Sequence, residues 1–570
     1  MPINDSLPIN DSLPISDNLN DWTLPNVLRR QAERLGDQPF LHLVGEHTDT
    51  YAQTLQAAEA LAAGLQRLGV GHGDAVAIMG PSAFELVHGW LGANLAGAVD
   101  VTINPALRGG LLEHALNMAE ARIILIDEQY LPVLHDSEAK LPQLRDAVVF
   151  RAFGSPACDA RPAFRRINLV PYAEVAVAGR RPTEVPVVFS DIASVIYTSG
   201  TTGPAKGVMM PHAQIVRLAR QTIRGVRMTG EDVYYCIHPL FHMAGKFMAV
   251  FATLYAGGRI ALDRTFAAES WLTRIREFGA TVALAHGPML EMIHQQPPGP
   301  NDADNPLRRI ISVPLPKGIA HDFAARFDVR SIEVYGMTEI NVVTWQPYDE
   351  PIRLGSCGKV SADEVAFRVI DPETDEPLPP GAMGEFAVRP HAPWTLMQGY
   401  KGMPEKTIEA WRNFWFHTGD LGYMDADGYV YFVDRVKDRI RRRAENISSY
   451  DIEAATGEHP AVLECAAIGV PSGFEADDDI KLCVVLRPDM PLEPEELLEH
   501  LVPRLPHYMV PRYIEVMDAL PRTPTNKLQK NKLRDAGIGS AAWDRQAAGV
   551  SVRELATRLR HDGAGGQPSS

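Results

Sequence analysis

Apolar residues along the chain follow two periods. Leu24 to Leu35 repeats at helical spacing, and Gln53 to Leu68 does the same, with Leu55, Ala58, Leu61, Ala62 and Leu65 on one face. Helical patterns recur from Ala83 to Ala96 and around Gly110 to Met118. Between them lie short unbroken apolar runs bounded by turn residues: Ala75 to Met79, Val99 to Ile103 and Ala121 to Ile126. Runs of this length read as buried strands. Strand and helix alternate, which predicts an α/β fold, with a large N-terminal domain of mixed sheets flanked by helices. The alternation returns with strands over Cys465 to Val470 and Ile480 to Leu486 and a helix over Glu493 to Leu501. This predicts a small α+β domain at the C-terminal end.

A chain of 570 residues is too long for one ordinary core, so at least two domains are expected. Its ends look different from its middle. Residues 2–19 are three copies of one hexapeptide, Pro2 to Leu7, Pro8 to Leu13 and Pro14 to Leu19, and residues 1–21 are expected to be a disordered leader. Residues 541–570 hold one short helical pattern, Val552 to Leu559, before a Gly/Ser tail, and are expected to be mostly disordered. Residues 154–190, rich in Pro, Arg and Ala, read as loop.

The net charge of −16 argues against general affinity for nucleic acid or anionic membrane, though not against a local basic patch for a phosphorylated ligand. Five cysteines (Cys158, Cys236, Cys357, Cys465, Cys483) are scattered and lack metal-ligand spacing, which predicts reduced thiols in a cytoplasmic protein. No apolar run approaches the roughly 18 residues of a spanning helix. No basic segment followed by an apolar core stands at the N-terminus, so no signal peptide is read.

The stretch richest in chemistry is 192–208. Ile192 to Tyr197 reads as a short buried strand, and Thr198-Ser199-Gly200-Thr201-Thr202-Gly203-Pro204-Ala205-Lys206-Gly207-Val208 follows it. Glycines let backbone N–H groups approach an anion, hydroxyls add donors, and the lysine supplies a point charge. Together they predict a polyphosphate cradle. The P-loop of kinases and GTPases is excluded by spacing, because Pro204-Ala205 separates Gly203 from Lys206 and Gly207 follows the lysine. A Gly/Thr-rich surface turn is the plain alternative.

The string Tyr197 to Val208 resembles the signature of the ANL adenylating enzymes, which comprise acyl-CoA synthetases, peptide-synthetase adenylation domains and luciferases. The resemblance runs from about residue 25 to about residue 540, with the motifs in the family's order. It implies an N-terminal AMP-binding domain over 22–434 and a mobile C-terminal domain over 435–540. In Tyr335-Gly336-Met337-Thr338-Glu339 it implies Tyr335 against adenine, Thr338 donating to the α-phosphate, and Glu339 as the Mg²⁺ ligand. In Trp415-Phe416-His417-Thr418-Gly419-Asp420, Asp420 would accept the ribose hydroxyls. Arg435 would contact the ribose or phosphate, Lys437 falls at the hinge position, and Arg441 matches a lysine of the thioester-forming state. Lys527 would be the adenylation lysine.

Three residues are candidates for the acyl pocket. His242 stands where the family gates it, with a purely structural histidine as the alternative. His286 lies near the pocket wall. Lys246, in an otherwise apolar run, either snorkels to solvent or meets an anionic group on the acyl substrate.

Three departures from the family pattern stand out. Ile311 to Pro316 replaces the usual Gly/Ala-rich adenine wall, in the manner of carnitine/crotonobetaine-type CoA ligases. Ala444 and Asn526 each stand where glycine is usual, and Gly355-Ser356-Cys357-Gly358, Gly384-Glu385 and Gly399-Tyr400 are weaker marks that read as sheet turns.

The resemblance implies an acyl-CoA ligase that uses ATP, Mg²⁺ and coenzyme A on a small carboxylic acid, closest in look to carnitine/crotonobetaine and fatty acid ligases. A stand-alone adenylation enzyme serving a carrier protein or amine, and a degenerate binding protein, stay open beside it. Whether the chain works alone or as a homodimer is left open by the sequence.

Overall fold

The computed structural model describes residues 18–158, 161–198, 205–435, 440–442, 445–447, 449–472, 478–505, 507–522 and 528–564. Two large sheets form the body of the molecule. One has eight strands in the order Gly399–Tyr400, Lys206–Pro211, Ile192–Thr198, Val99–Ile103, Ala75–Met79, Ile123–Asp127, Asp146–Phe150, Asn168–Pro171. The other has nine, in the order Lys359–Val360, Asn341–Trp345, Arg330–Met337, Arg309–Val313, Val282–His286, Val233–Cys236, Arg259–Leu262, Pro39–Leu43, Thr48–Thr50. The middle strands of both sheets are parallel.

Parallel sheets need cover on both faces, which is why the central strands are apolar at nearly every position. Val76 and Ile78, with Ile123 and Leu125, point into the core between the two sheets. Ala77, Met79, Ile124 and Ile126 point the other way, under the helices Gly109–Ala119 and Leu131–Ser137. The core between the sheets is filled by helices Leu24–Leu35, Tyr51–Arg67, Phe84–Leu95 and His212–Val226. The outer face of the nine-stranded sheet is covered by Ala268–Phe278, Gly287–His294 and Ala320–Phe327.

Boundaries follow local chemistry. The helix expected from Gln53 begins at Tyr51 because Thr50 and Gln53 form a capping box. The Thr50 hydroxyl accepts from Gln53 N at 3.2 Å, and the Gln53 side chain accepts from Thr50 N at 2.8 Å. Within the segment read as loop, Asn168–Pro171 adds an edge strand. Glu138 anchors the approach to it by accepting from the backbone N–H groups of Arg165, Arg166 and Ile167.

A four-stranded antiparallel sheet follows, in the order Val365–Ile370, Gly384–Pro390, Phe416–Met424, Val430–Arg435. The C-terminal part carries its own sheet, Val462–Pro471, Asp478–Leu486, Tyr513–Val516 and Trp543–Asp544, with its own apolar clusters. Here the expected end at 540 needs correction. Trp543–Asp544 pairs with Tyr513–Val516, Arg512 binds Asp544 at 3.0 Å and Asp479 at 2.8 Å, and helix Val552–Ala564 places Val552 and Leu555 in the core. The segment is short in strong apolar residues, so its packing could not be read locally.

Candidate active site

The strand Arg330–Met337 runs to the C-terminal edge of the nine-stranded sheet and turns there into Thr338, half-buried, and Glu339. Gly336 makes the turn feasible, because a Cβ there would sit 2.1 Å from Asn341 O. Asn341 takes a left-handed φ of 64°, which Asn tolerates better than most residues. It is locked to Gln214 in both directions. Asn341 Nδ2 donates to Gln214 O at 2.9 Å, while Gln214 Nε2 donates to Asn341 Oδ1 at 3.2 Å and to Thr338 O at 2.9 Å. Glu339 itself is 4% exposed.

Tyr400 joins this turn to the eight-stranded sheet. Its hydroxyl donates to Glu339 Oε1 at 3.0 Å, and the Lys206 ammonium lies 4.5 Å from the centre of its ring. Thr198 and Lys206 face each other at the mouth of the hairpin, Thr198 Oγ1 reaching Lys206 O at 3.5 Å. The remaining cradle residues, Ser199, Gly200, Thr201, Thr202 and Gly203, lie outside the described residues, as do Lys437, Ala444, Asn526 and Lys527. Arg435 and Arg441 are described in their backbones only, Arg435 opposite Asp420 in the strand register.

Asp420 arrives from the four-stranded sheet. It accepts a 2.7 Å hydrogen bond from the Tyr335 hydroxyl. Burial, and then the Asp420 charge, hold the Tyr335 phenol well above its ordinary pKa, so it stays a donor. Phe386 packs edge-on against the Tyr335 ring and Phe432 stacks on it. The turn that presents Asp420 is fixed by Glu385, which accepts from Gly419 N at 2.9 Å and contacts His417 Nδ1 at 3.0 Å. Thr418 Oγ1 accepts from Asp420 N at 3.1 Å. Glu385 and Tyr400, read from the sequence as sheet-turn marks, thus hold the side chains that carry the chemistry.

Beside this centre the strand ends bring histidines together. His286 ends its strand, with Nδ1 3.3 Å from Val313 O, and its ring meets that of His238 edge-on at 4.9 Å. No motif in the sequence singles out His238. Burial, reinforced by His286 and His242, lowers its pKa to about 3, so it is a neutral imidazole, and its Nε2 has no hydrogen-bond partner among the described residues. His242 is half-buried in the turn after His238, against Phe241. Glu333, two residues before Tyr335, is 4% exposed. Burial pushes its carboxyl up to about 8 against the opposing pull of the Leu315 backbone and Lys317.

Lys246 is not in this group. It is 0% exposed, inside the π-helical turn Ala244–Phe251, and forms an ion pair with Asp100, which is also 0% exposed. Thr102 Oγ1 and Ser194 Oγ accept from its ammonium at 3.0 and 3.4 Å, and Trp90 and Phe247 wall it in. The expectation that it reaches solvent or an anionic acyl group is therefore corrected. Its counter-ion is already in the core, on the strand Val99–Ile103.

The residues present fit Mg²⁺ held with a nucleotide. A hard cation of this kind is commonly bound by one or two carboxylates together with phosphate oxygens. Glu339 offers one such carboxylate beside Lys206. No group of three or more His, Cys, Asp or Glu among the described residues forms a ready metal cage.

A lysine over the ring of one tyrosine, a buried carboxylate bound to that tyrosine and a second carboxylate paired to another, with a small domain following, is an arrangement that suits an adenylate-forming ligase. The comparisons agree. The model for "AMP-binding enzyme" matches residues 28–401, and that for "AMP-binding enzyme C-terminal domain" matches 451–527. A feruloyl-CoA synthase from Amycolatopsis sp is 31% identical over 489 residues, 85% of this chain and 93% of the relative. A crotonobetaine/carnitine–CoA ligase from Salmonella heidelberg is 28% identical over 471 residues, 82% of this chain and 89% of the relative. The ATP-bound structure of MatB from Rhodopseudomonas palustris superposes with a TM-score of 0.78 at 27% identity, covering 90% of this chain and 98% of that one. The chain belongs to the AMP-binding enzyme family. It is an AMP-forming acyl-CoA synthetase.

Proposed function

We propose that this ligase adenylates its acid at the junction of Lys206, Glu339 and Asp420. The observation that carries the proposal is the connection of these three groups. Lys206 meets Glu339 through Tyr400, and Glu339 follows the end of the strand that carries Tyr335, which binds Asp420. Three segments far apart in sequence are thus linked through the side chains of Tyr400 and Tyr335, which supports the reading.

The chemistry requires such a place. A carboxylate and a triphosphate repel each other, and the barrier falls when fixed charges and dipoles face the α-phosphorus. Lys206 and the Gly/Thr segment from Thr198 to Gly203 would cradle the phosphates. Glu339 would hold Mg²⁺, which when bound offsets charge on the phosphates and on the departing pyrophosphate. Thr338 would donate to the α-phosphate. Asp420 would accept from the ribose hydroxyls, and Tyr335, already fixed by Asp420, would lie along the adenine.

A carboxylate oxygen then attacks the α-phosphorus, the bond to the bridging oxygen breaks, and pyrophosphate leaves. In the second step the CoA thiolate attacks the acyl carbon, AMP leaves, and the thiol proton goes to solvent. We assign Lys527 to the first step, Arg441 to the second, and Lys437 to the hinge between a large domain over 22–434 and a small one from 435. The small domain extends through the helix that ends at Ala564.

For the acyl group, His242 and His286 would border the tail. With Lys246 neutralised by Asp100 and His238 neutral, the site favours an uncharged or aromatic tail over a second carboxylate. A cytoplasmic location belongs to the same proposal and accords with five free cysteines. No helix among the described residues is long and apolar enough to cross a membrane. The test is a panel of fatty, aromatic, betaine and dicarboxylic acids, offered with ATP and either free CoA or a carrier protein. Pyrophosphate, AMP and CoA thioester should appear together for a neutral acid. A panel that gives thioester only on the carrier protein, or only with dicarboxylic acids, would overturn the corresponding part.

A further inference from the structure

Tyr400 occupies an unusual position between the two functional sheets. Its backbone pairs with Val208, two residues after Lys206, and Lys401 N donates to Gly207 O at 2.8 Å while Gln398 N donates to Met209 O at 3.0 Å. The same short segment also holds the other sheet, because Met397 N donates to Glu339 O at 2.9 Å. Residues 397–401 therefore clasp the strand that carries Lys206 to the turn that carries Glu339. The clasp is itself held from behind, with Tyr400 N donating to Thr407 Oγ1 at 2.9 Å. The Tyr400 side chain is 4% exposed, so its ring and hydroxyl have little freedom.

The two ends of that side chain do different work. The hydroxyl donates to Glu339 Oε1 at 3.0 Å and so restrains one oxygen of the carboxylate. The ring face receives the Lys206 ammonium at 4.5 Å, within the range of a cation–π contact. One buried residue thereby contacts both the carboxylate and the ammonium.

We propose that Tyr400 is a positioning residue that couples metal binding at Glu339 to polyphosphate binding at Lys206. The inference rests on the roles given above to those two residues. Tyr400 touches neither metal nor nucleotide in this scheme. It acts through its two neighbours, the hydroxyl on the metal side and the ring on the phosphate side.

The two halves separate by substitution. Tyr400→Phe keeps the ring and removes the hydroxyl, and Tyr400→Leu removes both. The probe is Mn²⁺ with α,β-methylene-ATP, which cannot transfer its adenylyl group. Free Mn²⁺ is read by electron paramagnetic resonance, and metal-free nucleotide binding is read by calorimetry. In Tyr400→Phe, Mn²⁺ affinity in the nucleotide complex should fall about tenfold, the loss expected for one hydrogen bond to a charged group, with metal-free nucleotide binding within about twofold of wild type. Tyr400→Leu should weaken both. In a Glu339→Gln background, Tyr400→Phe should add nothing further, a comparison that holds even if the variants lose some stability.

Failure of the wild type to bind Mn²⁺ with the nucleotide analogue would sink the site assignment, and this inference with it. Normal binding by the wild type, with Tyr400→Phe unchanged or tighter, would sink the inference alone. So would equal losses in Tyr400→Phe and Tyr400→Leu.

Discussion

Replacing Lys246 with methionine separates two accounts of a residue that the sequence places near the acyl pocket. Methionine keeps most of the apolar stem and deletes the ammonium. In the structure this strands Asp100, which is 0% exposed and would keep only the 3.1 Å hydrogen bond from Thr102 Oγ1. Breaking a buried pair by removing one partner costs about 3–5 kcal/mol, because the remaining charge has neither water nor counter-ion. Unfolding entropy is about 2.1 cal/mol/K per residue, so over the roughly 400 residues of the large domain that loss lowers the melting temperature by about 4–6 °C. The double variant Lys246→Met, Asp100→Asn leaves no buried charge and should recover most of it.

The assay is thermal unfolding of the wild type, both single variants and the double, followed by tryptophan fluorescence. Trp90 is a local reporter, since Lys246 Nζ lies 5.4 Å from its ring centre. KM values for a neutral and a dicarboxylic acid are measured alongside. The structural account predicts a large stability loss, its recovery in the double variant, and no selective change in KM. An unaltered melting temperature together with a KM rise confined to the dicarboxylic acid would refute it and return Lys246 to the substrate.

Three further outcomes are expected. Glu333 has its carboxyl raised from 4.5 to about 8 in the folded state, so its contribution to stability is full below pH 4.5 and is lost as pH rises through 8. Glu333→Gln should flatten the fall in stability between those values by up to about 1.4 kcal/mol per pH unit, seen in urea unfolding at pH 5, 6.5 and 8; an unchanged slope would contradict the assignment. Asp420→Ala should raise the KM for ATP by about 10–100-fold, through lost hydrogen bonds to a charged group, with little effect on the KM for the acid; the reverse pattern would contradict the ribose assignment. Lys527→Ala should slow adenylate formation on the order of 10²–10³-fold, yet spare thioester formation from supplied acyl-adenylate, and equal loss of both half-reactions would count against its role.

What could be read in advance was local. The strand Val99–Ile103 was legible because both its faces are buried, and Glu339 and Asp420 because each sits in a short string whose chemistry is carried by near neighbours. What escaped depends on distant contacts. Tyr400 looks like a turn residue until Glu339, 61 positions earlier, is seen to accept from its hydroxyl. Lys246 invites a substrate reading because Asp100 stands 146 positions away. Glu385 reveals itself only when its strand pairs with the one carrying His417 to Asp420. The strand Trp543–Asp544 needs Tyr513–Val516 beside it before it is a strand at all. Buried charges and short edge strands take their meaning from partners, and spacing along the chain does not supply them.

The most direct test of the account follows an oxygen atom. With the best acid from the panel, doubly labelled with ¹⁸O in its carboxylate, turnover with ATP and CoA should place one ¹⁸O in the AMP released per thioester formed, and none in pyrophosphate. Label in orthophosphate with ADP as the nucleotide product, or unlabelled AMP, would contradict attack of the carboxylate on the α-phosphorus.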